Sequence, residues 1–356
     1  MLLYCKRIIR RNGECGAFSL LSVLIRIHPY FSETKGPGEK KSMTIQEIAA
    51  LAGVSTATVS RVFSHHPNIR PELRDRVLAV ARRHGYRPRL SAKQRNVVIV
   101  TPYKQLYPAA EFVDMITSEL IRELVSDSFR VEIVPHDNLE RLGEISFCGA
   151  IGIGIDPPDE WDKWFSAPLI ILDKIPRRPV PGVFYVHSDE FQGMELAVGH
   201  LAERGCRRVG AILHGAPGCG NVEIRREGIL RALRKFGLPA DPALVKISSE
   251  EGFFEEMGKL LQLGADGVFA GGGGNFGGIA AYCLSFYGRR IPADIRLVSS
   301  ERHRISRYCI PAQTTISPDY AGLAAAAVEG LRGRLAGEKV PAEVVLPYRL
   351  MVRDSS

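Results

Sequence analysis

The stretch MTIQEIAALAGVSTATVSRVFSHHPNIRPELRDRVLAVARRHGYRPRL runs from Met43 to Leu90 and decides the fold of the amino-terminal part. Thr44 followed three residues later by Glu47 is a capping box, in which hydroxyl and carboxylate each satisfy a backbone N–H that a helix start leaves orphaned. Ile45, Ile48, Ala49 and Ala52 then share one helical face, and Gly53 supplies the backbone freedom for a turn. Ser55 is placed to cap a second helix reaching about Phe63, with Val59 and Val62 inward and Ala57 or Thr58 flanking them. Pro71, at the first-turn position proline favours, opens a third helix to about His84 that buries Leu73, Val77, Leu78 and Val80 or Ala81. Two short helices joined by a glycine turn, closed by a third, predict a helix-turn-helix.

Working outward, the 356 residues are enough for two or three compact units, and 45% hydrophobic with 24% charged residues is a globular balance. The net charge is +8, and it is unevenly placed: residues 1–42 hold eight Lys/Arg against three Asp/Glu, and residues 43–95 hold ten against three. The rest of the chain is therefore net acidic, as expected if the basic end meets a polyanion and the body does not. Seven scattered cysteines with no C-x-x-C pair argue against a disulfide framework or a zinc site. The longest apolar stretch near the start, Ala17 to Ile25, is far below the roughly 20 residues that span a bilayer. A cytoplasmic location with no membrane partner, no metal and no cofactor is expected.

The segment Thr44 to Pro88, above all AGVSTATVSRVF (52–63) and GYRP (85–88), closely resembles the headpiece of the lactose-repressor (LacI/GalR) family of bacterial transcription regulators. The resemblance implies that the second helix enters the major groove of duplex DNA, with Thr56, Ala57 and Arg61 against base edges. Ser55, Thr58, Ser60 and Asn68 would meet phosphates, and Thr44 and Tyr86 complete the DNA-facing set. Family members continue into a hinge helix carrying a leucine wedge, whereas here an apolar strand begins at Val97, about six residues early, and Arg95 stands at the wedge position. The linker is expected neither to form a full hinge helix nor to intercalate, with Lys93 and Arg95 supplying phosphate contacts instead.

From Val97 short apolar strands alternate with helical segments: VVIVT (97–101), RVEIV (130–134), AIGIGI (150–155), LIILD (169–173), VFYV (183–186), RRVGAIL (207–213), ALVKI (243–247), GVFA (267–270) and RLVSS (296–300), with helices near 109–126, 190–204, 223–236, 251–262 and 277–287 between them. That alternation reads as doubly wound parallel sheets, in two lobes because one sheet cannot absorb about 250 residues. The strings VHSDEFQGMELAVGHLAERGCRRVGAI (186–212), REGILRALRKFGL (226–238), PAQTTISPD (311–319) and LPYRLMVRDS (346–355) resemble the periplasmic-binding-protein-like sensor of the same family. The expected organisation is an extension or misassigned start over 1–42, a headpiece over 43–88 and a short linker over 89–96. A sensor domain over 97–345 follows, with lobe 1 about 97–187 plus 318–342 and lobe 2 about 190–316 plus the C-terminal strand, and then a terminal segment over 346–356. If translated, the first 42 residues are either a mobile segment or a basic arm that strengthens nonspecific DNA binding.

The resemblance further implies a homodimer on a palindromic operator, chain crossings near 187–190, 316–319 and 342–346, and a small-molecule effector, a sugar or sugar phosphate, between the lobes. Arg225 and Asp189 are its candidate ligands, each with a simple ion pair as the alternative role, and Tyr103 and Glu301 join them. The Asn-Asp pair that the family carries after the GVFA strand is replaced by GGGGNFGG (271–278), so Gly273 and Asn275 enter only as substitutes at that position. Residues 135–149 are short for a full helix. Gly272, Gly274 and Gly277 also satisfy G-x-G-x-x-G, with Glu301 ending the next strand, which leaves a nicotinamide-binding reading as the rival to a regulator that is no enzyme.

Overall fold

The computed structural model describes residues 43–63, 69–84, 86, 95–102, 112–159, 161, 167–176, 178–218, 220–272, 276–301 and 305–356. Three helices form the headpiece: α1 (Ile45–Ala52), α2 (Thr56–Phe63) and α3 (Pro71–Arg83). Gly53, at φ +62°, makes the left-handed turn between the first two, a conformation that costs a residue with a Cβ. The Ser55 hydroxyl then accepts the Thr58 N–H at 3.1 Å and so caps α2. Ile48, Ala49 and Ala52 of α1, Val59, Val62 and Phe63 of α2, and Val77 and Ala81 of α3 are buried and close the small core. Leu73, Leu78 and Val80 are only partly covered. Leu78 instead rests on Gly337 of the sensor, where an added Cβ would stand 2.9 Å from its methyl.

The sensor contains two six-stranded sheets. The first is built from β1 (Asn96–Thr101), β2 (Arg130–Pro135), β3 (Gly149–Ile153), β4 (Leu169–Leu172), β5 (Val183–Ser188) and β11 (Glu343–Leu346), in the order β11-β5-β4-β3-β1-β2 with every pair parallel. The second holds β6 (Val209–His214), β7 (Val245–Ser248), β8 (Gly267–Gly271), β9 (Arg296–Ser300), β10 (Thr314–Ser317) and β12 (Arg349–Met351), ordered β12-β10-β9-β8-β6-β7 and parallel except for β12. The central strands are buried along their length, because helices cover both faces of such sheets.

In the first lobe, α4 (Phe112–Ser126) and α9 (Tyr320–Leu335) pack on one face, burying Ile116, Leu120, Leu323 and Leu331 against the strands. The other face is covered by Leu142, from a 3-10 turn over His136–Gly143, and by Trp161. This turn is what the short 135–149 segment builds in place of a full helix. In the second lobe, α5 (Glu190–Glu203) and α6 (Gly220–Lys235) cover one face, and α7 (Phe253–Gln262) and α8 (Phe276–Phe286) the other. The chain passes between lobes after β5, after β10 and between β11 and β12. The third passage thus lies at 346–349, a few residues beyond the expected 342–346, because Glu343–Leu346 still pairs with β5 of the first sheet.

Candidate functional site

Two sets of polar residues stand apart from the cores. On α2, Thr56, Ala57, Ser60 and Arg61 are all exposed, whereas Val59, Val62 and Phe63 are buried. The spacing explains this: positions i, i+1, i+4 and i+5 share one side of a helix, and the three apolar positions fall on the other. An eight-residue helix therefore has one side committed to the core and one presented outward. Thr44, just ahead of α1, is exposed as well. Thr58 is half-covered, and Ser55 shares its hydroxyl between the Thr58 N–H and the Thr58 hydroxyl at 2.9 Å, so its first role is structural.

Tyr86, expected at the DNA face, is a correction. Its ring is only 8% exposed and packs on Phe63 with centroids 5.7 Å apart, so it belongs to the headpiece core. Arg95 is half-buried where the chain enters β1, and its carbonyl accepts the Arg130 N–H at 2.7 Å. Asn68 and Lys93, with most of the linker, lie outside the described residues, as do Tyr103, Gly273 and Asn275.

The second set lies where strands of the sensor end. Asp173 follows β4, Asp189 follows β5, Gly272 follows β8 and Glu301 follows β9, all at carboxyl ends, where open α/β sheets bind ligands. Asp189, expected to face a ligand, caps α5 instead: its carboxylate accepts the Gln192 N–H at 3.0 Å. The residue after it does the electrostatic work. Glu190, 1% exposed, takes the Arg225 Nε–H and Nη2–H on its two oxygens at 2.8 and 2.6 Å, and the Tyr348 hydroxyl donates to it at 3.2 Å. Burial alone would lower the Arg225 pKa, but the adjacent Glu190 charge holds it well above the ordinary range. The Tyr348 phenol is pushed up by burial and then by Glu190. Gly272, at φ +100°, lets Arg225 lie against the backbone, since a Cβ there would stand 3.2 Å from Nη1.

Across the cleft, Asp173 has φ +59° and its backbone carbonyl accepts the Asn221 Nδ2–H at 3.0 Å, joining the lobes. Its side-chain Oδ1 is shut off from solvent and has no partner, and the same holds for Asn221 Oδ1. Burial raises the Asp173 carboxyl to about 7, with Arg225 opposing the rise and Glu190 adding to it. Glu301, the other expected effector residue, is held on one oxygen by the Thr315 hydroxyl and Arg353 Nη2, each at 2.6 Å. Burial works to raise its carboxyl, but the hydrogen bonds from Thr315, Arg353 and Ser306 together hold it low. Met115 and Ser118 of α4, Tyr320 of α9, Ser317, Glu301 and Arg353 border an opening of about 760 Å³ between the lobes. Sequence reasoning named Arg225 and Glu301 but missed Asp173, Glu190, Asn221 and Tyr320. The available signal was position: Asp173 is the last residue of the string LIILD, at a strand's carboxyl end.

The glycine loop has a packing role that the dinucleotide pattern does not require. A Cβ at Gly277 would stand 2.5 Å from both Ser299 Oγ and Gln313 Oε1, so this glycine seats α8 on the sheet. Among the described residues there is no cluster of His, Cys, Asp and Glu that could hold a metal, and no helix is long and apolar enough to cross a membrane.

A helix-turn-helix with an outward-facing second helix, followed by a two-lobed parallel α/β domain with a polar cleft, is an architecture found in solved transcription regulators. The chain's relatives are LacI/GalR-type regulators: residues 44–89 match the bacterial regulatory proteins of the lacI family, and residues 198–356 match the periplasmic binding protein-like domain. It is 28% identical over 346 residues to the transcriptional repressor PurR of Pasteurella multocida, covering 88% of this chain and 98% of that one. It is 24% identical over 333 residues to the probable transcriptional repressor ExuR of Bacillus subtilis, covering 88% and 98%. The solved complex of the transcriptional regulator CelR with cellobiose superposes with a TM-score of 0.66 at 26% identity, covering 88% of this chain and all of that one. These three relatives are named as transcription regulators.

Proposed function

We propose that this regulator is a cytoplasmic homodimeric repressor that reads a palindromic operator through α2 and releases or grips it in response to a small molecule held between the sensor lobes. The observation that carries this reading is the division of α2 into a buried side, Val59, Val62 and Phe63, and an exposed side, Thr56, Ala57, Ser60 and Arg61. A helix of this kind fits the major groove with its amino-terminal turn toward base edges. Arg61 has the planar, forked donor that pairs with guanine O6 and N7, and Ala57 offers a methyl to thymine. Thr56, Ser60 and Thr58 supply hydroxyls to bases or phosphates, with Thr44, Ser55 and Asn68 on the backbone and Lys93 and Arg95 adding charge.

Dimerisation is supported by apolar residues left open on the second lobe: Tyr282 and Phe286 on α8 are each 67% exposed, Tyr308 is 76% exposed and Ile310 is 97% exposed. A second copy covering them would also supply the second half-site reader. The effector reading is supported by the CelR complex, in which a relative of the same architecture holds cellobiose, and by the unpaired polar atoms of Asp173 and Asn221. Lobe closure would move Gly337 at the end of α9, and with it Leu78 and the headpiece, a route that needs no hinge helix. The test is selection from random duplexes with the full-length protein. An enriched inverted repeat, bound by a dimer, is expected; enrichment of no sequence would refute the reading.

A further inference from the structure

Asp173 stands at the seam between the sensor lobes. It follows β4 of the first lobe, where its N–H donates to the Val186 carbonyl at 2.9 Å, and its own carbonyl accepts the Asn221 Nδ2–H of α6, in the second lobe, at 3.0 Å. Its φ of +59° is a conformation that a residue with a Cβ keeps only where its surroundings hold it. The side chain has no such anchor. Asp173 Oδ1 and Asn221 Oδ1 are both shut off from solvent, and neither has a hydrogen-bond partner. Among the described residues, the charged groups that act on the Asp173 carboxyl are Arg225 of α6 and Glu190 of α5, from the second lobe, and His187 of β5, from its own. Arg225 and Glu190 are joined by two hydrogen bonds, so together they set a neutral pair against it. His187 is joined to Glu343 at 2.6 Å.

A carboxylate cut off from water without a hydrogen bond or a counter-ion of its own favours its protonated, uncharged form. Part of that burial comes from the second lobe, because Asn221, Arg225 and Glu190 all belong to it. With the lobes together, burial raises the Asp173 carboxyl to about 7, Arg225 and His187 opposing the rise and Glu190 adding to it. With the lobes apart, water returns to the strand end and the carboxyl falls back toward the 3.8 of the free group. A group that holds its proton more tightly in one arrangement stabilises that arrangement fully below the lower pKa. The advantage is lost as pH rises through the higher one.

We propose that Asp173 is a proton-operated latch between the sensor lobes: taking up a proton favours the closed arrangement, losing it favours the open one, and Asn221 is the tie that brings the second lobe onto it. Protons are then an input to the sensor in their own right, and the latch needs neither operator nor effector to work. With the carboxyl near 7 when closed and near 3.8 when open, the ratio of closed to open molecules rises about tenfold from pH 8 to pH 6.

The test is single-molecule energy transfer in the full-length protein without effector, at pH 6 and pH 8. Fluorophores are carried by non-natural amino acids at Glu140 and Glu250, which are exposed and follow the carboxyl ends of β2 in the first lobe and β7 in the second. Labelled chain is mixed with excess unlabelled chain, so that transfer between protomers does not contribute. In wild type the ratio of the high-transfer to the low-transfer population should rise about tenfold between pH 8 and pH 6. Asp173→Asn, which mimics the protonated group and tolerates the left-handed backbone, should hold the wild-type pH 6 ratio or a higher one at both pH values. Asn221→Ala, which removes the tie, should lower the closed share at pH 6. His187→Gln should leave the tenfold response in place, which separates Asp173 from the histidine beside it. A wild-type ratio that does not move or moves the other way, a response that survives Asp173→Asn, a closed share unchanged in Asn221→Ala, or a response lost in His187→Gln would each overturn the latch.

Discussion

The outward side of α2 and the interlobe cleft are both recognition surfaces rich in polar groups, yet they are built in opposite ways. On α2 the candidate contacts are exposed and the residues holding them in place are apolar and lie on the other side of the helix. In the cleft the polar groups are buried and hold one another: Glu190 positions Arg225, and Arg353 with Thr315 positions Glu301. The difference teaches where function and stability separate. A change on the exposed side of α2 should alter DNA recognition and leave folding alone, whereas a change in the cleft should alter both.

The largest effect should come from Glu190→Ala, which strands a buried guanidinium. A loss of about 3–5 kcal/mol in unfolding free energy is expected by denaturant titration, with much of it restored in Glu190→Gln. Asp173→Asn should act in the other direction. The folded chain holds the Asp173 proton up to about 7 against 3.8 for the free group, so this residue's contribution falls as pH rises through that window. Replacing it should raise stability at pH 8 by on the order of 1–2 kcal/mol, seen as a higher melting temperature, and leave both unchanged near pH 4. Ser55→Ala removes the α2 cap and should cost about 1 kcal/mol, the one place where the headpiece surface also carries stability. Gly337→Ala crowds Leu78 and also puts a Cβ on left-handed backbone at φ +68°, so a destabilisation of about 1 kcal/mol is expected here too, joined by a changed operator affinity if the two domains communicate through that contact.

The headpiece was legible because its signals are local: a capping box, a glycine turn, a serine cap and apolar positions at helical spacing all fall within a few residues of one another. The central strands were legible for a similar reason, as continuous apolar runs. Helix α9 was not recognised by pattern, since AGLAAAAVEGLRGRL is small-residue-rich on all sides and carries three glycines. One of those glycines is a packing choice: a Cβ at Gly330 would stand 1.9 Å from the Phe184 ring. In the cleft, Arg225 and Glu301 could be named from the resemblance, but their partners lie 35 and 52 residues away, and no local spacing encodes such pairs. Tyr86 failed for the same reason, since only the folded headpiece reveals that Phe63 receives its ring.

The central claim is that α2 places Arg61 against base edges. It is tested most directly by measuring, at fixed salt, the affinity of wild type and Arg61→Ala for the selected operator and for its single-base variants. A loss of about 1–3 kcal/mol per half-site with relaxed preference at one symmetric pair of guanines, and an unchanged melting temperature, is the expected result. Unaltered affinity, or a uniform loss with every base preference intact, would contradict it.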